Sequence, residues 1–269
     1  MCRLLGYVAS RPLAAVDVLG SSGLKAFTSL ASLHGDGWGL AWRGADQLTH
    51  AVSRPDSAAT DPLYAELTGQ PLGPAGLVHL RRATGGLPVV PENTHPFTDG
   101  DYAFAHNGNI TPIARLEELL TPASMAKLRG DTDSERYFRF VLQCIAESDT
   151  EADGVTRALH TLVQEFPNVS LNALLLTPTA LFAIHMNSGA TSPPRALSEL
   201  YPSDADMPHR HATEYYAMYY RVTPDAVHVI SSGLDEPGWM HVPPDSAAMI
   251  DLRTRELTRL ALLPVSPGA

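Results

Sequence analysis

Cysteine is scarce in this chain. There are two, Cys2 and Cys144, with no paired spacing, so no disulfide framework is indicated and a reducing compartment is the simpler setting. Lysine is as scarce: of 19 Lys and Arg residues only Lys25 and Lys127 are lysine, they stand far apart, and the net charge is −10. No basic patch exists for a nucleic acid or an anionic membrane surface, and neither is expected as a partner. No run reaches the ~18–20 apolar residues of a membrane span, and the start of the chain lacks a basic segment followed by an apolar one. Internal repeats and low-complexity tracts are missing too. These absences point to a soluble cytoplasmic protein, and 269 residues suffice for one large domain with a full core.

The apolar spacing supplies the elements. Leu4–Ala9 reads as a buried strand starting almost at the terminus, and 13–33 as two short helices broken at Gly20-Ser21-Ser22-Gly23. Leu40–Arg43 and a partner ending near Arg54 form a hairpin, Asp61–Leu67 a helix behind Pro62, and Gly76–Arg81 a strand, followed by a long loop over 83–98. Tyr102–His106 is a strand halted by Asn107-Gly108; helices follow at 112–120, 134–147 and 154–166, with Cys144 beside the apolar stripe of the second. Strands return at 171–177, 181–186, 215–222, 226–231 and 247–252. Strands, then helices, then strands again predict an α+β domain of packed sheets with helices outside. It spans 2–262, with the Pro-rich stretch 187–214 as a loop or lid insertion and 263–269 as a flexible tail.

Cys2 follows the initiator methionine directly. If Met1 is removed, Cys2 carries its own α-amine, with a pKa of roughly 7.7–8.0 beside a thiol of about 8.5, so nucleophile and base come in one residue. Taken alone, Cys2 is simply one more small second residue. Arg81 offers a planar fork for a carboxylate, and Thr84 adds a hydroxyl; a surface salt bridge is the commoner fate of an arginine, and is the one assigned to Arg82. Asp133 precedes a helix and reads from its place alone as a cap, with Thr132 and Ser134 as alternative caps. Asn107-Gly108 by itself reads as a turn of the chain. Trp38 is open to two readings, substrate contact or core filler. His79, His95 and His106 read as structural, and His209-Arg210-His211 as a solvated loop without a third metal ligand.

Taken together, Cys2-Arg3-Leu4-Leu5-Gly6, the His-x-Asp-Gly-Trp-Gly of 34–39, Arg81-x-Ala-Thr84, Glu92-Asn-Thr-His-Pro-Phe97, His106-Asn107-Gly108 and Thr132-Asp133-Ser134-Glu135 resemble the class II glutamine amidotransferases. The likeness is nearest to the stand-alone members, including the γ-glutamyl amidohydrolase of ergothioneine synthesis. Ser232-Gly233-Leu234 departs from the Ser-Glu-Pro-Leu those members often carry.

The resemblance implies the four-layer αββα sandwich of the N-terminal-nucleophile hydrolases, two mainly antiparallel sheets with helices outside. It implies Cys2 as nucleophile, Asn107 and Gly108 as oxyanion hole, Arg81 and Thr84 on a substrate α-carboxylate and Asp133 on its α-ammonium. No metal or cofactor is called for. The expected substrate is glutamine or a γ-glutamyl small molecule, hydrolysed through a Cys2 thioester to glutamate and ammonia or an amine. An ammonia-accepting synthase is a further partner the family allows. The alternatives are a γ-glutamyl amidohydrolase of an ergothioneine-like pathway and a non-catalytic ligand-binding or regulatory subunit that kept the fold.

Overall fold

The computed structural model describes residues 2–83, 86–186, 190, 214–234 and 238–262. The stretch 187–214 lies almost wholly outside the described residues, as do the tail 263–269, the triplet 209–211 and Thr84.

The period-two pattern of β1 (Arg3–Leu13) shows how the layers are built. Leu4 and Val8 point into one apolar cluster, Leu5 and Tyr7 into another. The strand is therefore buried on both faces. It pairs antiparallel with β4 (Gly73–Leu80) on one side and β10 (Ala226–Ser231) on the other. Around this centre a seven-stranded sheet runs β11-β9-β10-β1-β4-β2-β3, where β2 is Trp38–Arg43, β3 Thr49–Arg54, β9 Met218–Val222 and β11 Met240–His241.

The second sheet has six strands in the order β13-β12-β8-β7-β6-β5: β5 Phe97–Asp99, β6 Tyr102–Asn107, β7 Asn172–Leu176, β8 Ala180–His185, β12 Ser246–Asp251 and β13 Leu257–Arg259. All its pairings are antiparallel. Ala103, Ala105, Leu174 and Leu181 meet Leu4, Val8, Ala41 and Leu77 between the sheets.

The helices close the outside. α1 (Ala15–Ser29) and α2 (Pro62–Gly69) cover the first sheet, while α5 (Asp133–Ala146) and α6 (Glu151–Glu165) cover the second. Two short helices, α3 (Ile113–Glu117) and α4 (Pro122–Met125), pack on α5. Three apolar clusters separate four layers, so the αββα arrangement is present. The largest side chains in it are fully buried, each worth about 1.5–3 kcal/mol against exposure.

The break expected within 13–33 is a kink, with Gly20 at φ 73° inside α1. Tyr215–Ala217 precede the strand instead of opening it; Tyr215 and Tyr216 are buried with their carbonyls bonded to side chains. Among its described residues the loop over 83–98 contains a 3₁₀ turn at Pro91–Asn93 and the start of β5. Among the described residues no helix is long and apolar enough to cross a membrane.

Candidate active site

Three elements end at one place. Arg3 of β1 stands opposite Leu80 of β4, which sets Cys2 beside Arg81. In the facing sheet β6 ends at Asn107, and the Cys2 backbone N–H donates to the Asn107 Oδ1 across 3.1 Å. Asp133, the first residue of α5, accepts the Ile110 N–H at 2.6 Å and so ties the helix to the turn after β6. Cys2, Arg81, Asn107 and Asp133 are all buried.

Asn107 is held from two sides, its Oδ1 by Cys2 and its carbonyl by the Ser170 hydroxyl at 2.9 Å. Its Nδ2 is buried and has no partner among the described residues. A buried amide donor left unpaired costs about 1–3 kcal/mol. Gly108 follows directly. A methyl group there would land on the Ser170 carbonyl oxygen and the His106 ring, so only glycine fits this turn.

Arg81 is fixed by backbone carbonyls: Nη1 donates to Asp36 at 3.1 Å and Nη2 to Pro88 at 3.2 Å. Its own N–H donates to the Gly37 carbonyl, and the Asp36 N–H donates back to its carbonyl. Carbonyls orient a guanidinium without neutralising it. The Asp36 carboxylate accepts the Ala83 N–H at 2.9 Å and fixes the chain just after Arg81. Arg82 turns its carbonyl to the Cys2 thiol, 3.7 Å away.

Thr132, not Asp133, caps α5, its hydroxyl accepting the Glu135 N–H at 3.1 Å. Glu135 in turn accepts the N–H groups of Arg129 and Gly130. Asp133 is thereby released from the capping role and faces the turn at Ile110. Trp38 is core: it is fully buried, donates from Nε1 to Asp61 at 3.0 Å and packs edge-on against Tyr64.

Burial pushes the Cys2 thiol up, opposed by nearby positive charge that includes Arg81 and Arg3. A thiol so placed needs a base at hand to act as a nucleophile near neutral pH. The histidines do not supply one. His106 donates from Nε2 to the Ser170 carbonyl at 3.0 Å and accepts from the Ser134 hydroxyl at Nδ1, a neutral tautomer assigned from those partners. His79 and His95 lie with ring centres 4.2 Å apart and planes tilted by 33°; burial pushes His79 down to about 3 and His95 well below its ordinary value.

These neutral histidines make folding sensitive to acid. Burial also holds His228 down at about 4. Each such group is neutral in the fold and protonates in the unfolded chain near 6.5, so its contribution is complete above that pH and fades as pH falls toward the folded value. The loss is about 1.4 kcal/mol per pH unit for each histidine. The urea midpoint is expected to fall clearly between pH 7 and pH 5, and a flat midpoint over that range contradicts the assignment.

Arg3 and Asp36 escaped the sequence reading as residues with a part to play. Both lie inside quoted motifs, but their partners are tertiary. Among the described residues no group of three or more His, Cys, Asp or Glu is placed to hold a metal ion.

The chain belongs to the class-II glutamine amidotransferases, an enzyme family whose sequence model matches residues 1–211. Among curated relatives, the glutamine–fructose-6-phosphate aminotransferase of Methanothermobacter thermautotrophicus is 39% identical over 105 residues, 36% of this chain. The chain spans only 18% of that protein's length, and 56% of that of Escherichia coli YafJ, to which it is 31% identical over 154 residues and 55% of its own length. The γ-glutamyl-hercynylcysteine sulfoxide hydrolase of Mycobacterium tuberculosis is 28% identical over 237 residues, covering 80% of this chain and 92% of that one.

Among solved structures, a glutamine aminotransferase class-II domain protein from Silicibacter pomeroyi superposes with a TM-score of 0.65 at 19% identity, over 98% of this chain and all of that one. The phosphoribosylpyrophosphate amidotransferase of Bacillus subtilis follows at 0.60 and 15%, over 97% of this chain and 50% of that one. The fold is that of the N-terminal-nucleophile hydrolases.

Proposed function

We propose that the protein hydrolyses a γ-glutamyl amide through a thioester on Cys2. The observation that carries this is the buried Asn107 Nδ2, without a partner among the described residues, on a side chain whose Oδ1 holds the backbone nitrogen of Cys2. Removal of Met1 turns that nitrogen into the α-amine. It then takes the thiol proton while Asn107 Oδ1 keeps it in place. The thiolate attacks the γ-carbonyl, Asn107 Nδ2 and the Gly108 N–H stabilise the tetrahedral oxyanion, and the amine departs with the proton. Water, activated by the same α-amine, then releases glutamate. Arg81 binds the substrate α-carboxylate and Asp133 its α-ammonium; Thr84, outside the described residues, is kept as a further donor to the carboxylate. We place all of this in one type-2 domain over 2–262, in a reducing cytoplasm that suits a free thiol.

Two leaving groups fit this chemistry. The hercynylcysteine sulfoxide hydrolases match this chain over 80% or more of its length and 92% or more of theirs, whereas the aminotransferases match it over 18–28% of theirs. That coverage favours a γ-glutamyl conjugate as substrate over glutamine whose ammonia passes to a synthase. The test is glutamate release from a panel of γ-glutamyl amides with small and large amines. A conjugate is expected to exceed glutamine in kcat/KM; glutamine exceeding every conjugate reverses the assignment, and silence across the panel supports the binding-subunit alternative.

The same assay checks the carboxylate anchor. Arg81→Lys replaces a fork held by two carbonyls with a point charge. It is expected to raise KM about 10-fold or more, the cost of a charge-assisted hydrogen bond of ~1.5–3 kcal/mol, with a smaller change in kcat. An unchanged KM removes Arg81 from the site.

A further inference from the structure

The alternation of β1 sends Leu4 toward the facing sheet and Arg3 and Leu5 toward the helix layer. Arg3 is fully buried there, an arginine at the end of a mainly apolar layer of Leu, Ala, Val, Ile and aromatic side chains. Its Nε lies 3.3 Å from His34 Nε2, and its Nη1 donates to the Tyr215 carbonyl at 3.2 Å and to the Ser232 hydroxyl at 3.4 Å. The guanidinium carbon stands 4.5 Å from the centre of the Tyr215 ring. Ser232 donates to the same Tyr215 carbonyl at 2.8 Å, which closes the cluster.

We propose that Arg3 is a positioning residue for the nucleophile, pinning the end of β1 that carries Cys2 to the turn that holds Arg81 on one flank and to Tyr215 and Ser232 on the other. The inference rests on the reading of Cys2 as nucleophile. His34 lies two residues before Asp36, whose carbonyl and carboxylate fix Arg81 and Ala83, so one guanidinium sets the distance between thiol and carboxylate anchor. A planar group with donors in several directions and a face for stacking can do this; a lysine cannot. Burying a charge is costly, and an apolar side chain of similar volume is often tolerated or stabilising in such a place. Stability is therefore a poor reason for an arginine here, and geometry a better one.

The arrangement also acts on the thiol. The groups that bear on it are Arg3 from β1, the Arg82 carbonyl and Arg81 after β4, and Tyr215 and Tyr216 before β9, with His79 and His106 behind it held neutral by burial. Loss of Arg3 removes one of the cations.

The experiment compares wild type, Arg3→Met and Arg3→Lys in three readouts: kcat and KM for glutamate release, thermal midpoint, and the pH profile of iodoacetamide alkylation at Cys2 followed by mass spectrometry. Arg3→Met is expected to stay folded, to lose about 10- to 100-fold in kcat with KM within about threefold, and to shift the Cys2 alkylation profile to higher pH. Arg3→Lys is expected to fall between. A wild-type kcat and profile in Arg3→Met overturns the proposal, as does a loss of kcat that follows the thermal midpoint while the profile stays in place. If Arg3→Met does not fold, Ser232→Ala and His34→Gln each remove one contact and are expected to lower kcat several-fold; no change in both overturns it. Should the wild type release glutamate from no substrate, the hydrolase reading fails separately, and the alkylation profiles still decide the role of Arg3.

Discussion

Cys2→Ala is expected to abolish glutamate release, with kcat falling by roughly four orders of magnitude or more, as when the nucleophile of a covalent mechanism is deleted. The fold should hardly notice. The side chain is small, and its thiol bonds only to the Arg82 carbonyl among described partners. Cys2→Ser sharpens the point, because it keeps the α-amine and the geometry while replacing a thiol of pKa about 8.5 with a far weaker acid. A Cys2→Ala protein that is stable, processed and still active at more than a few percent of the wild-type rate excludes the thioester.

Asn107→Ala is the second large effect. It removes a donor from the developing oxyanion, for which ~2.7–4 kcal/mol is the usual loss, or about 10²–10³-fold in kcat. It also removes the acceptor that holds the Cys2 nitrogen at 3.1 Å, so the observed fall should reach the upper end of that range. Asn107→Asp keeps the acceptor but sets a carboxylate where the oxyanion forms, so it should be no better than alanine in kcat. Gly108→Ala fails differently. Its methyl group meets the Ser170 carbonyl and the His106 ring, so the urea midpoint should fall with the activity, by the ~1–3 kcal/mol typical of overpacking. Steady-state kinetics and urea titrations on the three variants separate lost chemistry from lost packing.

Both predictions rest on residues legible in the sequence, and the reason is local. Asn107 ends a strand because Tyr102–His106 alternates and Asn-Gly stops it; Asp133 opens a helix because Thr132 is a cap and the apolar stripe of 137–144 follows. Arg81 ends β4 for the same kind of reason. The rest depends on partners far away in the chain. Arg3 meets Tyr215 and Ser232, 212 and 229 residues on, and nothing in its neighbourhood marks it as a buried guanidinium. Asp36 holds the chain at Ala83, 47 residues away. The short strands β5, β11 and β13 carry too few residues for a period to show, and exist only because a longer strand offers them an edge. Tyr215–Ala217 has strand composition, but side chains claim the carbonyls of Tyr215 and Tyr216, and the ladder starts three residues later.

The central claim is that Cys2 is an N-terminal nucleophile with a free α-amine. Peptide-mapping mass spectrometry of the purified protein, before and after incubation with the glutamine analogue 6-diazo-5-oxo-norleucine, tests it in one measurement. The account predicts a chain that begins at Cys2 and takes up one adduct, on Cys2, while buried Cys144 stays unmodified. A chain that retains Met1 and takes up no adduct contradicts it.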